Sequence, residues 1–493
     1  MFSLLISLAV LIMGYLLYSK VAVKVFAPDN RATPANAVND GVDCVPIKTW
    51  KAFLIQLLNI AGTGPIFGAL MGAVFGPIVF IWIVLGSILG GAIHDYMTGM
   101  ISCRHEGASI AELSGNYLGK GAKYGMRIFS IILLVLVGTV FVTSPASLLA
   151  KLTPDALDTT FWIIVILIYY VLATLLPIDK LISKLYPIFG AVLIFMAVAI
   201  VGALLFSGNY DIPEISLKNF HVDNLPIWPF MFVTVACGAI SGFHATQSPM
   251  MAKCITHEKH GKSVFYGAMI SEAVIALIWA AAGVAFYGAS EILGAELSAV
   301  GQSTVVYDIA KGMLGSVGGV LAIIGVVVCP LTSGDTAFRS ARLILAEWVK
   351  LPQKKIKNRL ILTIPLLLVG ALLTQLDFNV LWRYFSWSNQ TLAMISLWVA
   401  TAYLMKKSKL KFGSLITALP ATFMTAVSIT YIVMAPEGFR LSKWVGYPAG
   451  IVCALSLLSV YLVFLIKKIK KRERIEEDIN QTEEEIEIQE NAE

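Results

Sequence analysis

A few polar side chains stand out because they sit inside long apolar runs, where a bilayer makes them expensive. His94 and Asp95 are adjacent in one such run. They lie about nine residues from its basic end, roughly 13 Å deep. Asp95 shares a helical stripe with Ser87, Gly91, Thr98 and Ser102, a small, polar face suited to a helix interface or a water path. A carboxylate beside an imidazole can carry a proton or cation, or it can simply fix packing by an interhelical hydrogen bond. Glu272 lies at similar depth in a later run with no basic residue one helical turn away, so it is a proton-carrier candidate. "PLTSGDTAFRSAR", Pro330–Arg342, is the richest stretch. Thr332, Ser333 and Thr336 offer hydroxyl oxygens of the kind a hard cation takes, and Asp335 would add charge. Arg339 follows Asp335 by one helical turn, so a plain ion pair is the competing reading. His244, with Thr246, Gln247 and Ser248 beside it, is either a substrate contact or a satisfied hydrogen-bond partner. Asn389 and Gln390 lie deep enough to face a path, whereas Trp382, Arg383 and Trp387 read as an interfacial aromatic belt with a snorkelling arginine.

The elements that must position these groups are membrane helices. Of 493 residues, 57% are hydrophobic and 14% charged, with a mean hydropathy of +0.79. Apolar runs long enough to cross a bilayer recur throughout, giving an all-α polytopic protein of about 13 crossings. The net charge of +6 is no nucleic-acid signature, because the basic residues cluster in short loops between runs. Lysine- and arginine-rich loops alternate with poor or acidic ones. This places the N-terminus outside and the C-terminus in the cytoplasm. The run at 304–348 is too long for one simple crossing and is expected to tilt or project. Cys237, Cys329 and Cys453 lie in apolar runs, and the cysteine spacings fit neither a disulfide framework nor a metal motif.

Two runs contain helix breakers at their centres. "NIAGTGPIFG", Asn59–Gly68, carries Gly62 and Gly64 before a proline; "CGAISGFHATQSPM", Cys237–Met250, carries Gly238 and Gly242 before another. They open the second and seventh runs, in opposite orientations, which is the layout of an inverted-repeat secondary transporter. The expected organisation is an extra helix at 1–22, five-helix repeats at 49–206 and 226–405, two helices at 412–467, and a charged tail at 468–493. A glycine–proline kink can be pure packing. Freed backbone groups at Gly62, Thr63 and Gly64 would instead favour a carboxylate, and freed carbonyls a cation.

Several longer pieces add a resemblance. "NDGVDCVPIKTW", "IAGTGPIFG", "GAIHDYMTGMISCRHEGASIAEL", "PLTSGDTAFRSARLILAE" and "WRYFSWSNQ" occur in that order. Together they resemble the carbon starvation protein A family of bacterial inner-membrane transporters. That resemblance implies a fold like the amino acid–polyamine–organocation superfamily and uptake of short peptides or pyruvate with cation or proton coupling. In the leucine-transporter type of fold, a sodium site joins two helices. Carried over by position, it would use carbonyls near Leu58 and Ala61 with Thr332 and Ser333.

The leading expectation is therefore a cation- or proton-coupled symporter for a small carboxylate-bearing nutrient in the bacterial cytoplasmic membrane, without cofactor other than a coupling sodium ion or proton. The substrate contacts would be Gly62, Thr63, Gly64, Gly242, His244, Gln247 and Asn389. The coupling groups would be Leu58, Ala61, Thr332, Ser333, Asp335, Asp95, His94 and Glu272. An intramembrane enzyme would need a nucleophile–base or metal motif, and no HExxH, GxSxG or P-loop is found. A nutrient sensor would want a folded cytosolic domain, for which a polar tail of roughly 25 residues is too short.

Overall fold

The computed structural model describes residues 1–38, 44–175 and 178–490, with side chains at 178–185 and beyond 473 outside that description. Residues 39–43 of the Asn39–Trp50 motif, and the Lys180 and Lys184 side chains used in the charge alternation, thus lie outside the described residues.

Apolar runs fold as helices because hydrocarbon offers no other partner for backbone N–H and C=O groups. In chain order they are α1 (Phe2–Phe26), α2 (Thr49–Ile60), α3 (Gly64–Ala73), α4 (Val79–Cys103), α5 (Ile110–Leu118), α6 (Lys120–Leu152), α7 (Thr159–Leu175) and α8 (Ile178–Phe206). A short segment, Ile227–Met231 continuing as Phe232–Thr234, forms α9 and leads to α10 (Gly242–Ala252). Then come α11 (Glu258–Tyr287), α12 (Ser290–Val300), α13 (Gln302–Val349), α14 (Ile356–Leu373), α15 (Phe378–Lys407), α16 (Leu415–Met434) and α17 (Lys443–Glu490).

Among the described residues, 9 helices are long and apolar enough to cross a membrane, or 10 with α2 and α3 taken as one bent span. The other expected crossings escape that measure for physical reasons. α7 has 17 residues, α9–α10 is interrupted, and α15 carries a polar face turned into the protein.

The long run at 304–348 neither tilts nor projects as one rod. α13 is interrupted at Gly315, whose φ of 65° and ψ of −147° no helix contains. That left-handed region favours glycine, so this residue can end one helical piece and start the next. α15 begins cleanly because Asp377 caps it, accepting from the N–H groups of Asn379 (3.0 Å) and Val380 (3.1 Å). α17 carries the acidic tail onward as helix to Glu490.

Trp382 departs from its expected place in an interfacial belt. It is buried, with its ring 5.9 Å from Phe67 of α3 and 5.2 Å from Phe385. Trp387 points its indole N–H at the Ser428 carbonyl (3.2 Å), and Arg383 pairs with Glu437 (3.2 Å). Sequence spacing places these residues at a helix end but does not say which face looks inward.

Candidate functional site

The first break is short. α2 stops at Ile60, α3 starts at Gly64, and the two axes differ by 50°. The Ala61 N–H still bonds back to Leu57 O (2.7 Å), and the Phe67 N–H to Thr63 O (2.8 Å). Among the described residues no hydrogen bond uses the N–H of Gly62, Thr63 or Gly64. The Thr63 hydroxyl and the side-chain carbonyl oxygens of Asn59 and Gln56 are also buried without a partner. Unpaired buried groups are costly, so such a concentration points to a ligand or water. The turn is closely packed. A Cβ on Gly62 would stand 3.1 Å from Phe141 and from the Ser333 hydroxyl, and one on Gly64 would stand 2.6 Å from Cys237.

The second break, residues 235–241, is longer and is tied down. Gly238 adopts φ +91° at its centre. Its N–H donates to Glu272 Oε1 of α11 (3.1 Å), and its carbonyl accepts from Ser87 Oγ of α4 (2.9 Å). Asn389 of α15 accepts from the Phe243 N–H (2.6 Å) and the Ser241 hydroxyl (3.1 Å), and donates to Cys237 Sγ (3.4 Å). Its amide thus caps the start of α10. The stripe on α4 is the face turned to this break, because a Cβ on Gly91 would reach the Ala239 carbonyl at 2.3 Å.

One buried cluster joins groups far apart in sequence. Asp95 takes His94 Nδ1 on Oδ1 (2.8 Å) and His244 Nδ1 on Oδ2 (2.8 Å). The far nitrogen of His244, Nε2, lies 3.3 Å from Glu272 Oε2, off the line of a hydrogen bond. All four side chains are excluded from solvent. Asp95, His244 and Glu272 are thereby brought together from α4, α10 and α11 against the second break.

Ser333 donates to the Leu58 carbonyl (3.2 Å), the pair expected from position, whereas the Thr332 hydroxyl turns back to Cys329 O in its own helix (2.7 Å). Asp335 pairs with Arg339 (3.2 Å), which also donates to Ala173 O (3.1 Å). Gln247 donates to Thr246 (3.0 Å) and Ser340 (3.4 Å) and keeps a buried, unpartnered carbonyl oxygen. Gly242 packs on the α15 backbone, where a Cβ would lie 2.4 Å from Asn389 O. Sequence reasoning passed over Gln56 and the Asn59 side chain, and read Cys237 only as an apolar-run cysteine. Their shared signal was position within or one turn before a break.

Two cavities lie along the helical pieces that lead into and out of the second break. One, of about 390 Å³, is lined by Thr246, Lys253, Ser340 and Glu347; the other, of about 320 Å³, by Thr234, Gln302, Trp382 and Arg383. Below the first, Arg104 at the end of α4 bonds to Glu258 (2.8 Å), Tyr403 (3.0 Å) and Ala27 O (2.8 Å). Burial alone would lower the Arg104 pKa, but the Glu258 carboxylate outweighs it and raises it. This contact ties α1, α4, α11 and α15 together at the basic end.

Two interrupted helices, each opening a set of five, define the class as a membrane protein of the leucine-transporter type of fold. The same fold appears in the Eremococcus coleocola manganese transporter mutant H236A (TM-score 0.51, 13% identity, 88% of this chain and 99% of that one). It appears again in MhsT in complex with L-phenylalanine (TM-score 0.50, 15% identity, 85% and 98%). The family model for carbon starvation protein CstA matches residues 1–156, 149–293 and 287–431, and the chain belongs to that family. An uncharacterized membrane protein of Haemophilus influenzae is 43% identical over 342 residues, 59% of this chain and 92% of its own. The peptide transporter CstA of Bacillus subtilis is 24% identical over 584 residues, 94% and 96% of the two chains. The pyruvate/proton symporter BtsT of Escherichia coli is 27% identical over 342 residues, 55% and 47%.

Proposed function

We propose that this chain is a secondary active transporter that takes up a small carboxylate-bearing nutrient, a short peptide or pyruvate, across the bacterial cytoplasmic membrane with a coupled proton. The observation that carries the reading is the contact of the two helix breaks, Gly64 against Cys237, beside a buried Asp95–His244–Glu272 cluster, with one cavity along α10 and another along α9. The names of the Bacillus and Escherichia relatives support both the substrate classes and the proton. Nothing in this reading needs a catalytic step or a bound cofactor.

The substrate carboxylate docks on the N–H groups of Gly62, Thr63 and Gly64 at the start of α3, where the helix dipole favours an anion. The Thr63 hydroxyl and Asn59 turn toward it. Gln247 contacts it from the side of α10, while Gly242 and Asn389 act by holding the second break in shape. The proton rides on Asp95, His94, His244 and Glu272. Moving α10 against α4 and α11 makes or breaks the relay, which couples proton loading to opening of one cavity or the other. The repeats are 49–206 and 226–405, with the N-terminus outside, the basic loops inside, and the 468–493 tail in the cytoplasm.

Sodium is the second reading, favoured by the Ser333 hydroxyl at 3.2 Å from Leu58 O and beside Gly62. Ala61 and Thr332 would complete that site, and Asp335 would supply charge nearby. Uptake into proteoliposomes decides between them. Labelled pyruvate and dipeptide should compete for entry, accumulate with an inward pH gradient, and ignore sodium. Glu272→Gln keeps an acceptor for the Gly238 N–H, so it should insert normally, lose accumulation and retain exchange. Accumulation that follows sodium and not pH would move the coupling to Ser333, and mere equilibration of substrate would leave a facilitator.

A further inference from the structure

The contact between His244 and Glu272 is chemically incomplete. Asp95 faces His244 Nδ1 at 2.8 Å, so that nitrogen carries the hydrogen and Nε2 presents a lone pair. Nε2 then faces Glu272 Oε2, another acceptor, at 3.3 Å, and both atoms are buried without a hydrogen-bond partner. Two lone pairs facing each other in a dry interior need a cation between them. A third donor is at hand. Cys237 Sγ, His244 nitrogen and a Glu272 oxygen all lie within 4.8 Å of one another. The Asn389 amide donates to that sulfur (3.4 Å) and holds it in place.

We infer that Cys237, His244 and Glu272 form a binding site for a thiophilic divalent cation of the zinc or cadmium type, with Asp95 as the residue that positions His244. The separation supports a metal. Tetrahedral ligands with nitrogen and oxygen bonds near 2.0 Å stand about 3.3 Å apart, whereas a charge-assisted hydrogen bond is usually about 2.7–2.9 Å. The Asp95–His244 contact is the carboxylate–histidine arrangement that fixes the tautomer of a metal-binding imidazole. Sulfur, imidazole and one carboxylate select zinc or cadmium over magnesium, which prefers six oxygens. Binding releases the thiol proton; where a proton had been held between Nε2 and Oε2 it leaves as well, and one dication then replaces two protons with the buried charge unchanged. A fourth position stays open to water or a ligand. The site stands on donor geometry and not on what the chain carries.

The test is a cadmium titration of the purified full-length chain in detergent, read by thiolate-to-cadmium charge-transfer absorption. A single saturable equivalent is expected, displaced by zinc and indifferent to excess magnesium. Cys237→Ser should abolish the band, and Cys453→Ser, at an exposed thiol, should leave it intact. Glu272→Gln and Asp95→Asn should each weaken cadmium by about tenfold or more. An unchanged band in folded, monodisperse Cys237→Ser protein overturns the site. Should Cys237→Ser fail to fold, the two carboxylate variants decide, and wild-type affinity in both overturns it equally.

Discussion

The two helix breaks arise from similar sequence and are finished differently. The first interrupts the helix over three residues, 61–63, and among the described residues leaves the N–H groups of Gly62, Thr63 and Gly64 and the side-chain oxygens of Asn59 and Thr63 without hydrogen-bond partners. The second spans seven residues, 235–241, and α4, α11 and α15 tie it down through Ser87, Glu272 and Asn389. Side chains from three other helices fix the shape of the second break, although among the described residues the N–H groups of Ala236, Cys237, Ala239, Ser241 and Gly242 have no hydrogen bond either. What sets the first break apart is its unsatisfied buried side-chain oxygens, at Asn59 and Thr63, which are poised for a ligand or water. On the proposed reading, binding falls to the first break and coupling to the second, which carries His244 between two carboxylates on other helices.

The point where the breaks touch should be the most sensitive. Gly64→Ala places a methyl 2.6 Å from both the Cβ and the Sγ of the buried Cys237. Uptake by correctly inserted protein should fall to background. Gly62→Ala meets Phe141 and the Ser333 hydroxyl at 3.1 Å, a gap that a few tenths of an ångström of side-chain movement can relieve. It should keep partial uptake. Equal activity of both variants would mean the breaks do not bear on each other at Gly64.

Asn389→Ala and Thr63→Val then set one break against the other. Removing Asn389 strands the Phe243 N–H inside the protein and leaves the Ser241 hydroxyl only its long contact to Cys237 Sγ (3.5 Å), a loss of about 1–3 kcal/mol. Its melting temperature should drop even without substrate. The Thr63 hydroxyl has no partner to lose, so the isosteric valine should leave the empty protein as stable or firmer by up to about 1 kcal/mol. Substrate affinity should nevertheless fall about tenfold, or about 1.4 kcal/mol. Thermal melts with and without substrate measure both. Destabilisation by Thr63→Val in the empty protein would show that its hydroxyl is part of the fold.

Much of this arrangement could be read from the chain. Glycine pairs ahead of prolines marked both breaks, and the period of Ser87, Gly91 and Asp95 marked the face of α4 that meets the second. The Asp335–Arg339 pair was visible because it is local, one turn apart. What could not be read was contact between distant segments. His244 is 149 residues from Asp95, and no periodicity encodes that meeting. Nor could the sequence choose among Gly312, Gly315, Gly318 and Gly319 for the interruption of α13, since all four allow the same backbone and only packing selects one. Trp382 went astray for a related reason. A helix end near the membrane boundary suits an aromatic belt, but burial beside Phe67 depends on a partner over three hundred positions earlier.

The smallest expected effects are at Thr332 and Ser333, and they separate the two coupling ions. Thr332 Oγ1 is engaged by Cys329 O of its own helix, a bond that stays within one turn. Replacing it with alanine should shift stability by well under about 1 kcal/mol. Ser333 spans from α13 to Leu58 at the end of α2, just before the first break, so Ser333→Ala removes one interhelical bond, worth about 1 kcal/mol. If the proton rides on the Asp95–His244–Glu272 relay, neither change touches it. Uptake should then keep its dependence on the pH gradient and its indifference to sodium, with a modest fall in melting temperature for Ser333→Ala alone. If a sodium ion instead sits between Ser333 and the carbonyls of the first break, both hydroxyls are ligands, and losing either raises the sodium concentration needed for half-maximal uptake. The sodium titration of uptake in these two variants therefore tests the division of labour between the breaks directly. A shift in the sodium midpoint would place coupling at the first break beside the substrate and reduce the second to a scaffold.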